Sequence, residues 1–146
     1  MKTVRDILTT KGHQIWSISP HATVYEALEV MAAKDIGALL VVENGKLVGI
    51  FSERDYARKV ILKGRASKET TVSELMTHTV FCVSPDNTLE DCMAIMTSRQ
   101  IRHLPVLHSE CLVGVITLGD VVKKIISEQQ FTIDQLESYV FDAGYD

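Results

Sequence analysis

The chain of 146 residues has no apolar run long enough to cross a membrane and no excess of positive charge. A membrane-spanning helix needs about 20 consecutive apolar residues. The net charge is −4 and the isoelectric point is about 5.7, and no basic cluster dominates, which argues against a non-specific nucleic-acid-binding surface. The start of the chain also lacks the apolar core of a secretory signal peptide. We therefore expect a cytoplasmic protein that binds neither membranes nor nucleic acid.

Cysteine is scarce as well. Cys82, Cys92 and Cys111 are odd in number and share no CxxC spacing, so the sequence indicates neither a disulfide framework nor a zinc site. We expect all three as small buried hydrophobic residues. The histidines other than His103 are scattered without the spacing of metal ligands. We expect them at the surface, and we predict no metal site.

The chain does contain an internal repeat with a period of about 65 residues. Residues 17–61 and 82–126 show nearly the same order of residue types, which is typical of tandem supersecondary units. Each copy begins earlier with a capping-box pattern, at Thr3 and at Thr71. The first copy carries three extra residues around Lys11-Gly12-His13, which we expect to form a longer surface loop.

Each copy predicts the order helix, short strand, helix, hairpin, helix. Apolar residues at helical spacing follow Thr23 and Thr88, and Asn44-Gly45 between two apolar runs is a strong hairpin signal. The first strands are expected near residues 15–18 and 80–83. One such unit has too few elements to cover both faces of its sheet, so we expect a mixed α/β (α+β) fold in which the copies pack across a pseudo-twofold axis.

The predicted boundaries are 1–62 for the first repeat, 63–70 for a polar linker, 71–127 for the second repeat and 128–146 for a C-terminal amphipathic helix and tail. The tail helix is expected to begin at a further capping box, Thr132 with Gln135. Its apolar stripe consists of Leu136, Tyr139 and Val140. A lone terminal helix usually packs on its own domain, and the alternative is docking on a second subunit.

Two junction sequences and one strand start carry a family resemblance. They are Gly-Ile-Phe-Ser-Glu-Arg-Asp at 49–55, Gly-Val-Ile-Thr-Leu-Gly-Asp at 114–120 and Arg-His-Leu-Pro-Val at 102–106. Together with the duplication they resemble the cystathionine β-synthase (CBS) domain family. The resemblance extends over residues 3–126, so almost the whole chain is similar to a pair of CBS domains, called a Bateman module. The resemblance implies an adenine nucleotide (AMP, ATP or NAD) bound between the repeats, and a disc-like homodimer arranged head-to-head or head-to-tail.

The junctions permit two interpretations. Ser52 with Asp55, and Thr117 with Asp120, are capping boxes that satisfy free N–H groups at a helix start. The same geometry offers N–H donors to phosphate and a fixed carboxylate to ribose hydroxyls. Glycines at 49 and 114 inside apolar strands indicate a close backbone approach, and the resemblance places ribose and phosphate at these junctions. We therefore favour the ligand interpretation.

The strand starts differ between the copies, because Arg102 and His103 replace Gly37 and Ala38. These two polar residues are either an exposed strand start or ligand contacts, in which Arg102 binds phosphate and His103 donates or accepts a hydrogen bond. Gly37 and Ala38 would leave room for a flat base. If the Arg102-His103 cleft dominates, Asp120 should matter more than Asp55.

Further candidates come from the first repeat's last helix and from the first strands. Arg54, Arg58 and Lys59 form a solvated basic helix face, or alternatively Arg54 reaches a second phosphate. Val80 lies in a segment whose backbone would edge the adenine, whereas we assign Trp16 to core packing. The candidate ligand-contacting residues are Gly37, Ala38, Leu39, Ser52, Arg54, Asp55, Arg58, Val80, Arg102, His103, Leu104, Pro105, Thr117, Gly119 and Asp120.

The sequence thus predicts a non-catalytic sensor that signals to an unknown downstream protein through a conformational change of its dimer. No nucleophile with a base, and no pair of tuned carboxylates, stands apart from the cap residues. An adaptor with a vestigial nucleotide pocket is the alternative, supported by the unmatched tail. A role within inosine-monophosphate-dehydrogenase-like metabolism is a remote third reading, since the chain contains no catalytic barrel.

Overall fold

A computed structural model describes residues 2–142, with side chains described as far as residue 138. The order of elements repeats, as the duplication predicts. The first repeat contains α1 (Val4–Lys11), β1 (Ser17–Ile18), α2 (Val24–Lys34), β2 (Ala38–Glu43), β3 (Lys46–Ser52) and α3 (Glu53–Asp55), which continues as a π-helical turn over Tyr56–Ile61. The second repeat contains α4 (Val72–Leu75), α5 (Leu89–Arg99), β4 (His103–His108), β5 (Cys111–Thr117) and α6 (Leu118–Asp142).

Each repeat builds a small sheet around its hairpin. In the first sheet β1 pairs in parallel with β2, and β2 pairs antiparallel with β3. In the second sheet β4 and β5 pair antiparallel in the equivalent register. The first strand expected near residues 80–83 is reduced to a single parallel bridge between Val83 and Val106. The mixed fold is confirmed, but one predicted strand is not formed.

The first helix of each repeat packs in the core of the other repeat. Val4, Ile7 and Leu8 of α1 belong to the apolar core of the second repeat, which includes Leu104 and Ile116. In the same way, α4 places Val72, Leu75 and Met76 in the core of the first repeat. The two cores are therefore completed only by this exchange of helices, which the sequence pattern alone did not reveal.

Backbone hydrogen bonds fix the exchange at equivalent positions. The Val4 N–H donates to the Asn87 carbonyl at 2.9 Å, and the Val72 N–H donates to the Ala22 carbonyl at 2.8 Å. The capping boxes predicted at Thr3 and Thr71 are present in both exchanged helices. These bonds satisfy N–H groups at the helix starts while joining one repeat to the other.

The C-terminal segment differs from its prediction. Residues 118–142 form one continuous helix, because the stretch from Ser127 to Phe131 contains neither glycine nor proline to end it. Thr132 is therefore not a cap, and its hydroxyl donates to the Glu128 carbonyl within the helix at 3.2 Å. Residues 126–138 are exposed, so packing of this segment on its own domain is wrong. Tyr139 and Val140 lie outside the described side chains.

Other surface predictions have mixed outcomes. Cys92 is buried, but Cys82 is only partly buried and Cys111 is exposed, because Cys111 directly follows the turn of the second hairpin. The four histidines expected at the surface are exposed.

No helix within residues 2–142 is both long and apolar enough to cross a membrane.

The strand glycines permit a close approach, but the approaching group is an exchanged helix. A Cβ on Gly49 would lie 2.6 Å from Met76 Sδ and 3.0 Å from the Thr77 carbonyl oxygen, and one on Gly114 would lie 2.7 Å from Leu8 Cδ2. These glycines therefore make room for the exchanged helices, and not for a ligand as expected.

We predict that Gly49→Ala lowers the free energy of unfolding by about 1–3 kcal/mol, because the added methyl group overpacks this contact. Urea denaturation followed by circular dichroism measures the change. Gly119→Ala is the matched control, since the nearest atom to its added Cβ is Thr117 Oγ1 at 3.6 Å. Equal stability of the Gly49 variant and the wild type would contradict the assignment.

Candidate ligand clefts

Two adjoining clefts lie between the repeats, and each has walls from both. Cleft 1 has a volume of about 310 Å³ and cleft 2 about 670 Å³. Cleft 1 is lined by Lys11, Gln14, Trp16, Asp35, Ile36, Gly37, Ala38, Leu40, Ile50, His103, Val115 and Thr117. Cleft 2 is lined by Gly37, Ile50, Ser52, Glu53, Arg54, Asp55, Thr77, Thr79, Val80, Phe81, Arg99, Gln100, Ile101, Arg102 and His103.

An aromatic ring lies at the equivalent place in each cleft, with a cation above it. The Lys34 ammonium is 4.3 Å from the centre of the Trp16 ring, and the Arg99 guanidinium is 4.6 Å from the centre of the Phe81 ring. Both pairs are cation–π contacts. Trp16 packs against the core of the first repeat as predicted, but it also lines cleft 1.

The junction of each repeat faces the first segment of the other repeat. Ser52 and Asp55 line cleft 2 together with Val80 and Phe81, whereas Thr117 lines cleft 1 together with Trp16. Arg102 consequently shares a cleft with Asp55. The predicted pairing of Arg102 with Asp120 is wrong, because each cleft joins a junction to the strand start of the opposite repeat.

The candidate residues divide between the clefts and the core. Nine of them line at least one cleft, and His103 and Gly37 line both. Leu39 and Leu104 are fully buried core residues, since they point away from the clefts in their strands. Pro105 is also buried, and its carbonyl accepts a bond from the Val83 N–H. Arg58 and Gly119 are exposed residues that line neither cleft.

The cap interpretation of the junctions is confirmed by geometry. The Ser52 N–H donates to Asp55 Oδ2 at 3.0 Å, and the Thr117 N–H donates to Asp120 Oδ2 at 2.8 Å. The next N–H groups, of Glu53 and Leu118, donate to the carbonyls of Gly37 and Arg102. Since the chain itself uses these donors, charged side chains are better placed than the helix starts to receive phosphate.

Asp55 is buried, and both of its carboxylate oxygens already accept hydrogen bonds. Oδ1 accepts from Thr77 Oγ1 at 3.1 Å and lies 3.0 Å from Lys59 Nζ, while Oδ2 accepts from Ser52. A ligand hydroxyl could reach this carboxylate only by displacing one of these groups. Thr77 was not predicted, because nothing in its sequence context distinguishes it.

Asp120 has a different environment. Its Oδ2 accepts from Lys11 Nζ at 2.6 Å and from the Thr117 N–H, and within residues 2–142 its Oδ1 accepts no hydrogen bond. Burial raises the pKa of Asp120, but the hydrogen bonds from Lys11 and Thr117 and the charge of Lys11 outweigh burial and lower the pKa below its ordinary value. Asp120 is thus the ionised carboxylate with capacity for another donor.

Cleft 2 carries the arginines. Arg54, Arg99 and Arg102 line it, and Arg54 Nη1 donates to the Gln100 carbonyl of the other repeat at 2.7 Å. Guanidinium groups bind phosphate through paired N–H donors. Arg99 was not among the predicted contacts, although the repeat makes it the counterpart of Lys34.

A known domain family matches both repeats of this chain. The fold and the two composite clefts define a tandem-repeat module, and the CBS domain model matches residues 4–62 and 72–127. The chain therefore belongs to the CBS-domain family, as a CBS pair, and stand-alone proteins of this kind are regulatory or sensor modules in general.

The similar proteins span bacteria and plants. A CBS-domain protein of Burkholderia ambifaria has a solved structure with 48% identity and a TM-score of 0.85, covering 90% of this chain and 99% of that one. CBS domain-containing protein YhcV of Bacillus subtilis is 36% identical over 88% of this chain and 89% of its own length. Mitochondrial CBSX3 of Arabidopsis thaliana is 35% identical over 98% of this chain and 73% of its length.

His103, which lines both clefts, is expected to be neutral at pH 7. Burial and the positive charge of Lys11 lower its pKa, although Asp120 and Glu53 oppose the shift. The unfolded chain then binds this proton more readily than the folded chain, so stability should fall as pH drops below ~6.5.

Proton NMR of the His103 ring should give a titration midpoint below ~6.5. The melting temperature of His103→Gln should decline less steeply than that of the wild type between pH 7 and pH 5. A midpoint at or above the ordinary value would contradict this description of the site.

Proposed function

We propose that this chain is a non-catalytic, homodimeric regulatory module that binds an adenine nucleotide in the clefts between its repeats. The observation that carries the proposal is their composite construction, in which an aromatic ring from one repeat faces the cap junction of the other. Their volumes lie within the range of about 300–1,000 Å³ typical of small-molecule sites. AMP, ATP and NAD are the candidate ligands.

The parts of a nucleotide have matching groups in the clefts. A purine is flat and apolar on its faces, and the Trp16 and Phe81 rings offer surfaces of the same character. A ribose diol donates hydrogen bonds to a carboxylate, and Asp120 has an oxygen with capacity to accept. The arginines at residues 54, 99 and 102 supply positive charge for phosphate. We propose no metal site, since residues 2–142 contain no suitable group of ligands.

The two clefts would contribute unequally. Ribose is better served in cleft 1, near Asp120, because the Asp55 carboxylate is already saturated. Phosphate is better served by the arginines of cleft 2. Gly37, Ile50 and His103 line both clefts, so a ligand longer than a mononucleotide would extend past these residues from one cleft to the other.

Ligand binding would be transmitted because each cleft contacts both repeats. A ligand that touches Trp16 and Thr117 at once binds one relative placement of the repeats better than another, and it shifts the population toward that placement. A downstream protein, still to be identified, would distinguish the two states through its differential affinity. No catalytic role is proposed for any residue.

Isothermal titration calorimetry with AMP, ATP and NAD tests the proposal. We expect binding well below millimolar, and we expect Asp120→Asn to weaken it by about tenfold or more, because a hydrogen bond to a charged acceptor is lost. Asp55→Asn should weaken it less. Asp86→Asn is a control, since Asp86 pairs with Arg5 at an exposed site outside the clefts. Failure of all three nucleotides to bind below millimolar would overturn the proposal.

The dimer is supported by an apolar stripe on α6. Val122, Ile126, Ile133 and Leu136 are spaced by four, seven and three residues, which places them along one side of the helix. Their exposed fractions are 39%, 58%, 48% and 61%. Gln129 lies on the same side between Ile126 and Ile133. Such an exposed, mostly apolar stripe is typical of an interaction surface, and we propose that a second copy of the chain covers it.

We predict that Ile126→Lys combined with Ile133→Lys reduces the molar mass measured by light scattering to that of a monomer. Phe131→Lys is the matched control, because Phe131 is 65% exposed but lies on the opposite side of the helix. A double variant that keeps the wild-type mass would contradict the proposed interface. A monomeric wild type would instead favour the adaptor function, in which the stripe binds a different protein.

A further inference from the structure

Of the three residues that only the first repeat contains, Lys11 ends the exchanged helix, whereas Gly12 and the exposed His13 follow it outside any helix or strand. The exchanged helix is also longer in the first repeat, since α1 has eight residues and α4 has four. The added turn ends at Lys11, and Gly12 then leaves the helix with a φ angle of 95°. This geometry directs the inserted residues toward β5 of the other repeat.

The insertion changes how the edge strand of each sheet is bonded. Beside cleft 2, Ile50 of β3 exchanges two backbone hydrogen bonds with Thr77, at 3.0 and 2.8 Å. Its counterpart Val115 in β5 accepts instead from the Lys11 side chain at 2.9 Å. His13 Nδ1 lies 2.8 Å from the Val113 carbonyl oxygen. Rotatable side chains thus replace a fixed backbone bridge beside cleft 1.

Lys11 also forms the ion pair with the junction carboxylate of the second repeat, Asp120. Asp55 pairs with Lys59 of its own helix at 3.0 Å. The equivalent lysine in the second repeat, Lys124, lies 3.5 Å from Thr10 Oγ1 instead, and Asp120 pairs with Lys11 at 2.6 Å. Lys11 and Thr117 line cleft 1 while Asp120 does not. Lys11 and Thr117 therefore both line the cavity and bond to Asp120.

We propose that Lys11 is a specificity-determining residue that makes cleft 1 select phosphorylated nucleosides over nucleosides. This inference rests on the proposed nucleotide binding. A ribose diol that reaches Asp120 competes with the Lys11 ammonium for the carboxylate. A ligand phosphate gives the displaced ammonium a new anionic partner, whereas a nucleoside leaves it without one. The cost of opening the ion pair is thus compensated only for a nucleotide.

Calorimetric titrations of AMP and adenosine into the wild type and into Lys11→Met test the inference. We expect the ratio of AMP affinity to adenosine affinity to fall by about tenfold in Lys11→Met, because a charge-assisted contact to phosphate is lost and Asp120 is opened to the diol. Lys11→Arg should retain a ratio close to that of the wild type. Lys124→Met removes the same charge nearby without touching Asp120, and its ratio should be unchanged.

The outcomes separate this inference from the proposed function. AMP binding by the wild type with an unchanged ratio in Lys11→Met overturns the role of Lys11 alone, and so does an equal fall in Lys124→Met. Absence of binding of AMP, ATP and NAD overturns both. A ligand-free measurement is also available, because carbon NMR should show the Asp120 carboxyl titrating at higher pH in Lys11→Met than in the wild type. An unchanged titration would contradict the proposed contact.

Discussion

The exchange of α1 and α4 between the two repeats is the constraint from which the other features follow. Val4 and Val72 are fully buried in the core of the opposite repeat, and backbone bonds hold both helix starts in place. Removing α1 or α4 would open a core that belongs to the other half of the chain. The repeats therefore form one structural unit, and the clefts between them have walls whose spacing is set by both cores.

The two clefts are alike because the two repeats are similar, and their carboxylates differ where the repeats differ in sequence. Trp16 and Phe81 hold equivalent places, as do the junctions at Ser52 and Thr117. The carboxylates differ because each has a different lysine: Asp55 is bonded by its own helix and by Thr77, whereas Asp120 is bonded across the repeats by Lys11. A buried carboxylate with every oxygen satisfied stabilises a fold, whereas one with an oxygen to spare can also receive a ligand.

Local signals were sufficient to predict the elements but insufficient to predict their partners. The Asn44-Gly45 turn, the capping boxes and the helical spacing of apolar residues act within a few positions of the chain, and the structure contains the hairpins and caps that they predict. Which repeat receives α1 depends on contacts between residues about 80–110 positions apart, such as Leu8 with Gly114, and no periodicity encodes that choice. For the same reason Arg102 was grouped with Asp120 of its own repeat, and Lys11 was assigned to a loop. The predicted helix start at Thr132 failed for a different reason. The capping pattern is present in the sequence, but the preceding helix continues through Ser127–Phe131 and satisfies the same backbone N–H groups.

The central claim is that one small molecule contacts both repeats within a composite cleft. Amide chemical shifts of the isotope-labelled protein, followed as AMP is added, test it most directly. The predicted result is that the amides of Trp16 and Gly37 in the first repeat and of His103 and Thr117 in the second move together, with a single saturation curve. Shifts confined to one repeat, or to the surface around Lys46 and Leu112 at the far hairpin turns, would contradict it.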